Sequence, residues 1–179
     1  MSISKVLHAT KFLELMETIT EKGSWFWVRR PQNQQAVIIV ALVGGKLVVI
    51  KEYRVPINGF EYGLPAGLIE KDESIEQSVK RELQEETGLV MDYFLKPPSP
   101  FILSSSGLTN ESCSVAYVKA SGKLSSLYLE ETENIEAKLM DEDEVRTLMQ
   151  GAREGFVNIG AKAWFIYEQY VSGSLFCGI

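Results

Sequence analysis

Gly67-Leu-Ile-Glu-Lys-Asp-Glu73-Ser-Ile-Glu-Gln-Ser-Val-Lys-Arg81-Glu82-Leu-Gln-Glu85-Glu86-Thr-Gly88-Leu89 is the most informative run in the chain. Its second half predicts a helix. Ser74 or Asp72 can serve as N-cap, Gly88 stops the helix as a C′ residue, and no Pro or Gly interrupts between them. At about 100° per residue, Ile75, Val79 and Leu83 fall on one apolar stripe. Glu82, Glu85 and Glu86, at i, i+3 and i+4, fan out along the border of that stripe.

Like charges at this spacing repel by a few tenths of a kcal/mol per pair on an exposed helix. Beside a buried face the penalty grows unless a cation sits among them. Hard oxygen ligands in this arrangement suit Mg²⁺ or Mn²⁺, which take a few carboxylates and fill the remaining positions with water and phosphate. Arg81 can pair with Glu85 at i+4, which leaves Glu82 and Glu86 freer for metal. A solvated acidic helix face is the competing reading. It does not explain why the Gly67 loop, Glu73 and Gly88 arrive together.

The run resembles the Nudix box, Gly-x5-Glu-x7-Arg-Glu-U-x-Glu-Glu-x-Gly-U with U aliphatic. It fills the box without a departure at Gly67, Glu73, Arg81, Glu82, Leu83, Glu85, Glu86, Gly88 and Leu89. The resemblance implies a metal-dependent pyrophosphohydrolase acting on a nucleoside diphosphate linked to another moiety. The box occupies a small part of the chain, so substrate choice has to be read elsewhere.

Upstream, Gln35 to Leu42 and Lys46 to Lys51, split by Val43-Gly44-Gly45, predict a hairpin buried on both faces. Then come Lys51-Glu52-Tyr53-Arg54-Val55-Pro56, a turn at Asn58-Gly59, and Phe60-Glu61-Tyr62-Gly63-Leu64-Pro65-Ala66. This Tyr-Arg-x-Pro … Leu-Pro-Ala-Gly-Leu-Ile pattern is similar to the ADP-ribose and nucleoside diphosphate sugar branch of the family. It implies Arg54 as a phosphate or ribose contact, with an ion pair to a nearby acid as the alternative. The Ala66 carbonyl is an expected extra metal ligand, because Gly67 lets the backbone turn toward the ion. Many relatives place a Glu where this chain has Gly63; here Glu61 stands two positions earlier.

Further upstream, residues 5–20 mix β-branched and apolar positions with charges, Glu21-Lys22-Gly23 forms a turn, and Trp25-Phe26-Trp27-Val28-Arg29-Arg30 reads as a strand ending at Pro31. Trp25 and Trp27 share one face and Phe26 takes the other. Aromatics on both sides must be buried against the chain's own domain or a second subunit. One Trp stacked on a nucleobase, followed by Arg29 and Arg30, suits a nucleotide. In the branch this chain resembles, such a strand belongs to an N-terminal sheet swapped between two subunits. That resemblance implies Trp25 on the base and Arg30 on the diphosphate; the strand's own pattern leaves Trp27 as the other stacking candidate.

Downstream, Val90 to Tyr93 opens a strand, Pro97 to Pro100 is a stiff extended linker, and Ser112 to Ala120 is a further strand. The intervening Ser104-Ser105-Ser106-Gly107-Leu108-Thr109-Asn110-Glu111 occupies the place of a Ser/Pro-Gly-x-Ser/Thr-Asn/Asp-Glu loop in the relatives. It therefore implies Gly107 as a substrate-lining backbone position, with Ser106 where many relatives carry Pro. By the same resemblance the acid-dense run Glu130 to Glu136 supplies a glutamate that directs the attacking water, with Glu133 the best match and Glu131 the reserve. Ala137 to Met140 is a strand, Asp141 N-caps a helix reaching about Gln150, and Asn158 or Gly160 opens the last helix.

A chain of 179 residues with 45% hydrophobic and 23% charged residues reads as one globular domain. The formal charge of −6 and the lack of a basic stripe argue against nucleic acid as a partner. No apolar segment reaches the ~18 residues that span a bilayer, and the N-terminus lacks a signal-peptide core, so the expectation is a cytoplasmic protein without a membrane partner. Cys113 and Cys177 lack metal-ligand spacing and read as reduced. His8, alone of its kind, excludes multi-His zinc and triad chemistry and leaves the work to carboxylates.

The resulting expectation is an α/β Nudix α/β/α sandwich with a mixed central sheet over residues 35–179. Residues 1–34 add an antiparallel sheet used in a homodimer. ADP-ribose or a related nucleoside diphosphate sugar is the expected substrate. Glu82, Glu85, Glu86 and Ala66 are the expected metal ligands and Arg81 the residue that fixes them. The alternatives are another Nudix substrate (a dinucleoside polyphosphate, capped RNA, an oxidised nucleoside triphosphate) and a non-catalytic nucleotide sensor.

Overall fold

The structure, a computed structural model, describes residues 2–31, 34–129 and 134–176. The hairpin lies at its centre. Strands β4 (Ala36–Val43) and β5 (Lys46–Arg54) are joined by Gly44-Gly45. Alternate side chains of β4 serve two cores. Val37, Ile39 and Ala41 pack on one face with Val79 and Leu83 of α1 (Ile75–Thr87). Ile38, Val40 and Leu42 pack on the other with α2 (Glu142–Arg153) and α3 (Ala161–Val171), through Val145, Met149, Ala163, Ile166, Tyr167 and Tyr170. Helices on both faces of a sheet explain why β4 is apolar without alternation. The expected α/β/α sandwich is what forms.

The hairpin is forked. β4 and β5 pair with each other only beside their turn, at Leu42–Leu47 and Val43–Lys46. Beyond that point β4 pairs with β7 (Ala66–Leu68), and β5 pairs with β6 (Gly59–Gly63). The other edge of β5 is taken by β11 (Ile135–Met140), and the other edge of β4 by β10 (Ser112–Ser121) in parallel. The β6–β7 segment thus lies in the fork and delivers Ala66 and Gly67 to the helix α1. Outer pairings are β8 (Val90–Lys96) and β9 (Ile102–Leu103) on β10, and β12 (Asn158–Ile159) parallel to β6. The sheet is mixed, as expected.

Ser74, not Asp72, caps α1. Its hydroxyl accepts from the Gln77 N–H while the Gln77 side chain accepts from the Ser74 N–H. Asp72 instead takes a left-handed turn conformation, φ 65. Asp141 caps α2 by the same reciprocal arrangement with Glu144, and Gly160, not Asn158, is the N-cap of α3.

The N-terminal part is a separate antiparallel sheet of β1 (Ile3–Ala9), β2 (Glu14–Thr20) and β3 (Gly23–Arg29). The stretch 5–20 is two strands because Thr10 makes a turn: its hydroxyl accepts from the Phe12 and Leu13 N–H groups. The sheet touches the main body where Val28 donates to the Leu108 carbonyl at 2.9 Å and Arg30 meets Glu111 at 2.8 Å. Two of its aromatic side chains are left uncovered within one chain, Trp25 63% and Phe26 60% exposed, while Trp27 is half-buried.

Gly88 ends α1 at φ 74, and a Cβ there would lie 2.7 Å from the Ser125 Cβ. Gly88→Ala is expected to lower stability by about 2 kcal/mol through left-handed strain and that overlap. Thermal unfolding should show a Tm fall of roughly 4–8 °C.

Candidate active site

The Gly67 loop and α1 are held together by one guanidinium. Arg81 Nε and Nη2 donate to the two Glu73 oxygens at 3.0 and 2.9 Å, and Nη2 also reaches the Leu68 carbonyl at 2.9 Å. Nη1 donates to Glu82 Oε1 at 2.7 Å and to Glu85 Oε2 at 3.0 Å. Arg81 therefore engages Glu82 as well as Glu85, and the expectation that it leaves Glu82 freer is corrected. The reason is geometric: one nitrogen of a planar fork reaches both carboxylates from the same helix face. Arg81 holds the Glu73 carboxyl well below its ordinary range, at about 2, and the carboxylates in turn hold the guanidinium charged.

Glu82 and Glu86 are 8% and 5% exposed, an unusual depth for two carboxylates on one helix. Glu86 Oε2 accepts from the Ala66 N–H at 3.0 Å, which fixes the backbone of the fork segment against α1. A Cβ at position 67 would overlap the Glu82 carboxyl group, so only glycine allows this approach. Two buried carboxylates packed against a bare backbone supply the hard, anionic donors that a divalent cation takes, and the fit is good. Among the described residues no three His, Cys, Asp or Glu side chains close on an ion unaided.

A cleft of about 380 Å³ opens at the mouth of the fork. Ala66 and Gly67 lie on its wall beside Arg30, Arg54, Glu61, Glu111 and Lys162. Arg30 is bonded to Glu111 at 2.8 Å. Arg54 both lines the cleft and pairs with acids, meeting Glu52 at 2.7 Å and Glu61 at 3.2 Å. Arg54 thus makes the ion pairs of the alternative reading and also stands on the cleft wall. Tyr167 steadies the cleft from beneath by donating to the Gly63 carbonyl at 2.8 Å. Burial raises its phenol, which stays protonated.

The structure does not bring every expected residue here. Trp25 and Trp27 lie on the N-terminal sheet, outside the cleft of the same chain; the Trp27 indole donates to Thr18 at 2.8 Å. Gly107 is exposed in its turn and not on the cleft wall, where its loop contributes Ser104 and Glu111 instead. Glu131 and Glu133 lie outside the described residues. Sequence reasoning missed Lys162 and the contact of Glu61 with Gly160, where a Cβ would overlap the carboxylate. Both come from α3, about a hundred residues from the fork, and no local pattern announces them.

Residues 32–158 match the NUDIX domain family, and the chain belongs to it. Similar proteins include ADP compounds hydrolase NudE of Escherichia coli (strain K12), 44% identical over 59 residues covering 33% of this chain and 32% of that protein. Putative nudix hydrolase 2 of Caenorhabditis elegans is 35% identical over 134 residues, 67% of this chain and 60% of that protein. An ADP-ribose pyrophosphatase of Bacillus subtilis (strain 168) is 31% identical over 116 residues, 64% and 56% of the two chains. The chain spans between about a third and three-fifths of the length of these relatives. A crystal structure of an ADP compounds hydrolase superposes with a TM-score of 0.66 over 97% of this chain and 94% of that one, at 20% identity, a likeness of fold.

Glu73 gives the site a pH signature. A carboxylate whose folded pKa is lowered contributes stability above its unfolded value and loses it as pH falls through the folded one. The contribution of Glu73 is therefore complete above about 4.5 and lost toward about 2. Glu73→Gln should flatten the stability profile across that window relative to wild type, as read by urea unfolding at a series of pH values.

Proposed function

We propose that this chain is a metal-dependent pyrophosphohydrolase that cleaves ADP-ribose or a related nucleoside diphosphate sugar into a nucleoside monophosphate and a sugar phosphate. The observation that carries the reading is the Glu82 carboxylate seated against Gly67, which lies on the wall of a cleft that also carries Arg30, Arg54 and Lys162. ADP-ribose pyrophosphatases and an ADP compounds hydrolase among the relatives support an ADP-containing substrate.

Glu82, Glu86 and the Ala66 carbonyl would hold Mg²⁺ or Mn²⁺, with Glu85 taking a second ion or steadying the first. Once bound, such an ion supplies neutralisation of the diphosphate charge and a lowered pKa for water. Arg81 keeps Glu82 and Glu85 in register, and the Ala66 N–H holds Glu86. Arg30 and Arg54, already in the cleft, bind phosphoryl oxygens. Glu133, or Glu131 in reserve, accepts the proton of the attacking water as the bridging P–O bond breaks and the leaving phosphate takes up charge. The apolar N-terminal sheet packs on a second copy, which is how Trp25 would reach a base.

Phosphate release from a panel of nucleotide sugars, dinucleoside polyphosphates and nucleoside triphosphates, with Mg²⁺ and a coupled phosphatase, tests the assignment. ADP-ribose or another nucleotide sugar should be the best substrate. Glu82→Gln and Glu86→Gln should each lower kcat by on the order of 10²-fold or more. Near-normal turnover in both variants contradicts the reading.

For the dimer, sedimentation should give twice the 20.1 kDa chain mass for wild type. Phe26→Glu, which places a charge in the uncovered sheet face, should give the monomer. A monomeric wild type rules the dimer out.

A further inference from the structure

Three cations line the cleft, and they are not in the same electrical state. Arg30 is met by Glu111 and Arg54 by Glu52 and Glu61. Lys162, in the first turn of α3, instead donates from Nζ to the Ser104 hydroxyl at 2.9 Å. Among the described residues no carboxylate pairs with it, and the first turn of α3 carries no acidic residue. The charge of Lys162 thus rests on a neutral acceptor at the mouth of a site built for an anion.

We propose that Lys162 is a substrate-binding cation of this cleft, leaving Ser104 to donate to an anionic phosphoryl oxygen of the bound diphosphate. The inference rests on the pyrophosphohydrolase reading and deepens it. An ammonium gains more from an ionised phosphate oxygen than from a hydroxyl, because a full opposite charge on the acceptor adds Coulomb attraction to the hydrogen bond. Exchange at Arg30 or Arg54 gains less, since each would give up a carboxylate. The flexible four-carbon stem lets the ammonium swing between acceptors while α3 stays fixed by Ala163, Ile166 and Tyr167 in the core.

The alternative role, a tether between α3 and the 104–111 loop, needs a hydrogen bond but no charge. Lys162→Gln, Lys162→Arg and Lys162→Met separate the two. Binding is measured by calorimetry with Mg²⁺ and α,β-methylene-ADP, a non-hydrolysable nucleoside diphosphate. Lys162→Met and Lys162→Gln should each weaken it about tenfold, and Lys162→Arg should restore it to within threefold of wild type. In ADP-ribose hydrolysis the same variants should raise KM by a similar factor with kcat within threefold. Recovery by Gln, or unchanged affinity in Met, overturns the proposal. Wild type that binds the analogue but hydrolyses no nucleotide sugar overturns the functional reading alone, and the affinities still judge Lys162. Wild type that hydrolyses a nucleotide sugar without binding the analogue keeps the functional reading, and the KM values then judge Lys162; wild type that does neither overturns both.

Discussion

Three carboxylates on two turns of helix would push α1 away from the loop that precedes it, were it not for the Arg81 guanidinium. Its five donors meet Glu73, Glu82, Glu85 and the Leu68 carbonyl, so one side chain ties loop to helix and spreads the acids at fixed separation. A lysine would supply the charge but not the fork. The consequence is a helix whose acidic residues are held at the edge of a core rather than released to solvent. Glu82 and Glu86 stay buried.

The sheet puts this arrangement to use. Because β4 buries alternate residues on opposite cores, it is held on both sides and serves as a rigid wall. β5 leaves it just past the turn, and the fork receives the segment that ends at Ala66 and Gly67. The Glu86 carboxylate and the Tyr167 phenol each grip that segment through a backbone group. The proposed metal ligands, Arg54 and Lys162 therefore sit on elements that pack against the two cores, the rigidity that a proposed diphosphate site would need.

What was legible in the sequence was local. The hairpin, α1 with its Gly88 stop, the Asp141 cap and the two-faced core all follow from residue types at short spacing. Non-local partners were not. Thr10 splits the first predicted stretch into β1 and β2 through one hydroxyl, a turn that apolar periodicity does not reveal. The link from Arg81 to Glu82 depends on rotamers rather than on i+4 spacing. Glu61 against Gly160 and Lys162 on Ser104 join elements far apart in sequence, and only the closed fold brings them together. Trp25 reads as an aromatic platform in sequence, yet stands on a sheet that the rest of its own chain leaves uncovered.

The central claim is that Glu82, Glu86 and the Ala66 backbone form a seat for a divalent ion. Crystals grown with Mn²⁺ and a non-hydrolysable nucleoside diphosphate, measured for the anomalous signal of manganese, test it directly. The account predicts a peak between the Glu82 and Glu86 carboxylates beside the Ala66 carbonyl. Ordered analogue in the cleft with no such peak would contradict it.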